Sequence, residues 1–279
     1  MGRDAEISSY RTGMRPPAAV LLVLAGAAAG CDAGKTKLIG ADYPTCQTTP
    51  EVPPPSLGVS SFYGKYLDSR GIPVLSSAAV ADPALQTACT IVGHMLSARD
   101  DVRQAMMGLD MTVVVMGRNE VTTEIPEYAN LYTTNPPDDW DSYRGIGATK
   151  VIPVTSAGEE NVLCERNDPY AGGNILVQVF ATSVLLGVEA ADSTFDNRLN
   201  AALSDTKAAG RWQGSYALVN DIEYYARGVE AWFDTSAEGN PPDGRVDTRA
   251  HFQAYDPGLA ALVEESMPAD TWRPNCPLR

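Results

Sequence analysis

Histidine is nearly missing from this chain: His94 and His251 are the two among 279 residues. They are too far apart to supply imidazoles four residues apart on one helix, the pair that holds zinc in many peptidases. A serine or cysteine triad would need one of them as its base, and neither lies in a local signature; each reads as a structural or surface histidine. No Gly-x-Ser-x-Gly elbow is present. Basic side chains are also scarce. Lys and Arg number 21 against 35 Asp and Glu, a formal charge of −14, which argues against nucleic acid or an anionic lipid surface as partner. No apolar run reaches the roughly 20 residues that cross a bilayer, and there is no internal repeat.

What is present at the N-terminus is the anatomy of an export signal. Arg15 precedes the apolar run 18–30, which ends in Ala28-Ala29-Gly30 before Cys31. That ending resembles the lipobox of bacterial lipoproteins. The resemblance implies a signal peptide over 1–30, lipidation of Cys31 and an extracytoplasmic protein held to a membrane of the bacterial envelope. Met14 is a candidate start, because the first thirteen residues lie outside the signal pattern. Removing 1–30 takes three bases and two acids, so the mature chain is one unit more negative.

Cysteine is infrequent, with five in all. Cys46, Cys89, Cys164 and Cys276 remain once Cys31 is lipidated, an even number that suggests two disulfides in an exported protein. Three pairings are open. No Cys-x-x-Cys pair exists, so a cysteine zinc site is not expected.

The stretch 31–57 carries Pro44, Pro50, Pro53, Pro54 and Pro55 and reads as a flexible tether. The domain is expected over 58–279. Ile72-Pro73-Val74 reads as an edge strand, Leu85, Cys89, Val92 and Leu96 as the face of a helix opened by Asp82-Pro83, and 102–109 as a further short helix. Met111–Met116 reads as a buried strand. Residues 128–162 read mostly as loop. Ile175–Leu186 is apolar almost all round, the pattern of a central buried helix, with Gly187 able to end it. Residues 195–209, 220–233, 248–255 and 257–265 read as helices. The sum is a helix-rich α+β domain with a small sheet.

Two segments carry a recognisable constellation: Asn174-Ile-Leu-Val-Gln178-Val179-Phe180-Ala181-Thr182, and Tyr216-Ala-Leu-Val-Asn220-Asp-Ile-Glu223-Tyr224-Tyr225-Ala226-Arg227. Together they resemble zinc metallopeptidases related to the catalytic domain of anthrax lethal factor, especially a group of exported bacterial zincin-like proteins. That family reads Asn-Ile-Leu-x-His-Glu-Phe-Ala-His in the first segment and Tyr-x-x-x-Asn-x-x-Glu-aromatic-aromatic-Ala-Glu in the second. The resemblance extends to Gly158–Cys164 and Tyr255–Leu262.

It implies a zincin-like fold in which Glu223 falls on the third zinc ligand and Tyr216 on the tyrosine that steadies the oxyanion. Gln178 and Thr182 fall on the two histidines, Val179 on the glutamate base, and Arg227 on a supporting glutamate. A neutral amide and a hydroxyl are poor zinc ligands, and valine takes no proton from water. No metal, no cofactor and no peptidase activity are therefore expected. Glu223 should instead pair with Arg227 or with Gln178. The expected partner is a peptide or protein held in the former cleft.

Two other readings stay open. One is a peptidase with atypical ligands, Glu223 working with Asp138, Asp139, Asp141, Glu159 or Glu160. The other is a structural envelope lipoprotein whose cleft is filled. The acidic stretch 234–243 could also hold calcium but lacks the alternation of an EF-hand loop, and a solvated turn is its plain reading.

Overall fold

The computed structural model describes residues 44–135, 139–170, 172–236 and 246–274. The segment read as a signal peptide, Met14, Cys31, Asp138, Cys276 and most of the acidic stretch lie outside them. Within the described residues the fold is α+β: nine α-helices and one five-stranded mixed sheet.

Strands β1 (Lys65–Ser69) and β2 (Ile72–Ser76) form an antiparallel hairpin. Arg70 and Gly71 both have positive φ there, the conformation a two-residue hairpin turn requires. Helices α1 (Asp82–Met95) and α2 (Asp100–Gly108) carry the chain back to β3 (Thr112–Met116), parallel to β2. The sheet order is β1-β2-β3-β5-β4, where β5 (Val154–Gly158) is parallel to β3 and β4 (Gly145–Ile146) runs antiparallel at the rim. β2 is thus interior and not an edge strand. Alternate residues of β3 enter different cores: Val113 and Val115 face the helices, while Val114 and Met116 join Ile125, Tyr128 and Trp140 on the other side. Burial on both faces explains why β3 is an unbroken β-branched run.

Helix α5 (Ile175–Ala191) crosses the helical side of the sheet, with nearly every residue buried as far as Val188. Gly187 does not end it. A Cβ there would lie 2.4 Å from Met106 Cγ and 3.1 Å from the Val102 carbonyl, so this glycine lets α2 approach α5 closely. Helices α6 (Phe195–Ala208), α7 (Asp221–Trp232), α8 (Arg249–Tyr255) and α9 (Pro257–Ser266) complete that layer. Asp256 fastens them. One carboxylate oxygen accepts from Thr206 Oγ1 (2.6 Å), Trp212 Nε1 (2.9 Å) and Tyr224 Oη (2.7 Å), and the other caps α9 through the Leu259 amide. Burial, with the Asp256 charge next, pushes the Tyr224 hydroxyl far up, so it stays a donor.

The segment read as a tether is stapled to the domain where it is described. Cys46 is fully buried and bonded to Cys89 on α1, and Glu51 bridges to Tyr66 of β1. Proline content indicated extension, but a covalent bond and a backbone ladder pair override it. Cys164 is also disulfide-bonded. Serine at both Cys46 and Cys89 should lower the unfolding free energy by about 4 kcal/mol, the chain entropy released when a loop with separation 43 is opened. Thermal denaturation checks this, and an unchanged melting temperature would show that the bridge constrains nothing.

Candidate functional site

The entry to α5 is fixed by asparagines. Asn174 caps it by accepting from the Val177 amide (3.1 Å), and Asn161 Oδ1 accepts from the Ile175 amide (2.7 Å). Asn161 in turn donates to Asp168 and to the Gly173 carbonyl. Asn220 caps α7 through the Glu223 amide (2.7 Å). The two helices pack against each other. The Asn174 amide donates to the Thr235 carbonyl, so the start of α5 meets the end of α7 and the pair runs antiparallel. Gln178 and Thr182 lie one and two turns into α5, and Glu223 and Arg227 lie one turn apart on α7.

All four are buried, Gln178 at 2% and Glu223 at 1% exposure. Among the described residues Gln178 Oε1 has no hydrogen-bond partner. An unmet buried acceptor costs about 1–3 kcal/mol. Thr182 Oγ1 donates to Val179 O in its own helix (2.7 Å), and Ser183 shares a 2.6 Å hydrogen bond with Thr155 of β5. The rim strand lies directly on this face. A Cβ on Gly147 would come within 2.3 Å of Thr182 Oγ1, and one on Gly145 within 2.2 Å of Ile175 and 3.6 Å of Val179. Only glycine permits that approach.

Among the described residues Arg227 forms an ion pair with Glu230, one turn on (Nη1–Oε2, 2.6 Å), and both side chains are at least 95% buried. Glu230 carries no signal in a motif; its spacing of three from Arg227 on a helix was the available clue. Tyr216 lies on a single turn before α7, 44% exposed, with Val219 at 54%.

These residues do not fit a zinc ion. The oxygen at position 182 is spent within its helix, position 179 is a hydrocarbon under a glycine strand, and a guanidinium lies one turn from Glu223. Four of the acids of the atypical-ligand reading are engaged in other hydrogen bonds. Glu159 accepts from Arg118 and from the Ala81 amide, Glu160 takes a bidentate pair from Arg144 (2.6 and 2.8 Å), and Asp141 accepts from Thr123. Asp139 accepts from Tyr132 (3.3 Å). Among the described residues no group of three His, Cys, Asp or Glu is placed to hold a metal.

Neither histidine serves the site. His94 stacks on Trp272 (4.1 Å) and bonds Asp270, with burial lowering its pKa against the pull of that carboxylate. His251 bonds Asp247 at the surface. Asp234, the described start of the acidic stretch, is taken by the Arg249 amide and the Arg273 side chain. No family model, no curated protein and no solved structure matches this chain.

Proposed function

We propose that this chain is a lipid-anchored, exported envelope protein whose metallopeptidase-like domain performs no hydrolysis and binds a peptide or protein. One observation carries the reading. The positions that would hold the metal and activate its water are all buried, the Thr182 hydroxyl bonds within its own helix, and the rim strand and Gly147 pack on Val179 and Thr182. Arg227 supplies a fixed positive charge between Glu223 and Glu230, three to four residues away on either side, where a hydrolase would need a divalent ion. With β4 lying on α5, the open surface beside the site is the Tyr216–Val219 turn, an aromatic and an aliphatic group in water.

A second reading has an observation of its own. The close seating of Gly145 and Gly147 on Ile175, Val179 and Thr182 is what a filled cleft requires, and it favours a structural envelope lipoprotein.

Metal analysis of the purified mature chain tests the first point. The expected results are zinc far below one per chain and no chelator-sensitive cleavage of a peptide library. One zinc per chain that disappears in Glu223→Ala would overturn the proposal. A photo-crosslinking amino acid at Val219 separates the two readings. Capture of an envelope polypeptide that fails with the same probe at Lys207 supports binding, and no capture supports the structural reading.

A further inference from the structure

A groove of about 440 Å³ lies between α1 and the C-terminal strap. It shares no residue with the site above. Its floor is apolar, formed by Ile91, Val162 and Leu163, and Trp272 stands at one wall. The opposite rim is polar without charge: Gln47, Gln86, Thr87 and Thr90. In a chain of formal charge −14, no carboxylate is among its described lining residues. Its single charged lining group, Arg273, is paired with Asp234.

The walls are held independently of any ligand. The Cys46–Cys89 bond pins the segment carrying Gln47 to α1, and Gln86 Nε2 donates to the Thr48 carbonyl (2.9 Å). Trp272 is stacked on His94 and meets the edge of Phe233, while Trp232 Nε1 and Arg249 Nη1 donate to the strap carbonyls of Pro268 and Asp270. Among the described residues the Thr87 hydroxyl makes no hydrogen bond, and the amide oxygens of Gln47 and Gln86 are likewise open acceptors.

We propose that this groove binds a neutral glycan chain. A sugar ring presents a CH face and a rim of hydroxyls, and the groove presents an aromatic wall over an apolar floor beside amides and hydroxyls. A charged ligand would find no free counter-charge. A peptide bound by strand addition needs an open backbone edge to pair with; here the long wall is α1, whose backbone groups are paired within the helix. A preformed wall spares the ordering entropy that weakens binding.

Titration calorimetry of the mature chain with an N-acetylglucosamine tetramer and with cellotetraose tests this. Saturable binding of at least one in the millimolar range is expected, weakened about tenfold or more by Trp272→Ala. Because that change also removes the stack on His94, Thr87→Asp is the second variant. It sits at a half-exposed rim position, should melt like the parent, and should weaken binding comparably. The proposal is overturned by no saturable heat with either oligosaccharide, by binding that neither variant changes, or by uptake of a tetraproline peptide in their place.

Discussion

Methionine in place of Arg227 should lower the unfolding free energy by about 3–5 kcal/mol, the cost of leaving a buried carboxylate without its cation. Arg227 and Glu230 are 5% and 2% exposed at the side chain and 2.6 Å apart. Water cannot solvate Glu230 once the guanidinium is gone, and methionine fills the space without supplying a donor. The backbone carbonyl of Glu230 also accepts from Thr235 N (2.9 Å) and Oγ1 (3.0 Å), at the junction where α7 meets the start of α5. Strain at this residue therefore reaches the packing of both helices. Arg227→Met combined with Glu230→Gln should recover most of the loss, because the stranded charge is removed as well. Glutamate at 227, the residue found there in the peptidases the motif resembles, should be worse than methionine, because it adds a third carboxylate beside Glu223 and Glu230. Urea denaturation followed by circular dichroism reads all three. Loss below about 1 kcal/mol in Arg227→Met, the range of an exposed ion pair, would mean that the pair is solvated and the site is not dry.

How far the sequence could be read depended on where the signal lay. β3 and α5 were legible because burial on every side leaves a run of apolar residues with no polar face. β5 was not. It reads Val-Thr-Ser-Ala-Gly, is buried throughout, and satisfies its hydroxyls through tertiary contacts such as Thr155 to Ser183. Nothing local marks such a strand, so it passed for loop along with β4. Gly187 misled for a related reason. Glycine near the end of an apolar run suggests a stop, but here it answers a neighbouring helix that only the fold brings close. At the site, the motif spacing named four buried residues on two packed helices. The ion pair of Arg227 with Glu230 was not legible because glutamates three and four residues away on a helix look alike in sequence, and both are buried here.

Replacing Gln178 and Thr182 with histidine and Val179 with glutamate should raise zinc affinity above that of the parent chain. Each substitution first acts against the apo fold. An imidazole at 182 cannot share the space that Thr182 now shares with Gly147, where even a methyl on the glycine would meet Oγ1 at 2.3 Å. The rim strand must lift, and overpacking of this kind costs about 1–3 kcal/mol. The apo triple variant should therefore melt below the parent. Zinc then reverses the sign. Two imidazoles from α5 and the Glu223 carboxylate form a three-ligand set, and ligand at a hundred times its dissociation constant restores about 2.7 kcal/mol. Arg227 opposes the ion by charge. Adding Arg227→Glu should tighten zinc binding further, although the same change alone destabilises the parent. That reversal, harmful without the metal and helpful with it, cannot arise from packing alone. Thermal shift with and without zinc, alongside metal analysis, reads both halves. If neither the triple nor the quadruple variant gains a zinc-dependent shift, positions 178, 182 and 223 do not converge on one point, and the descent from a metallopeptidase fails with them.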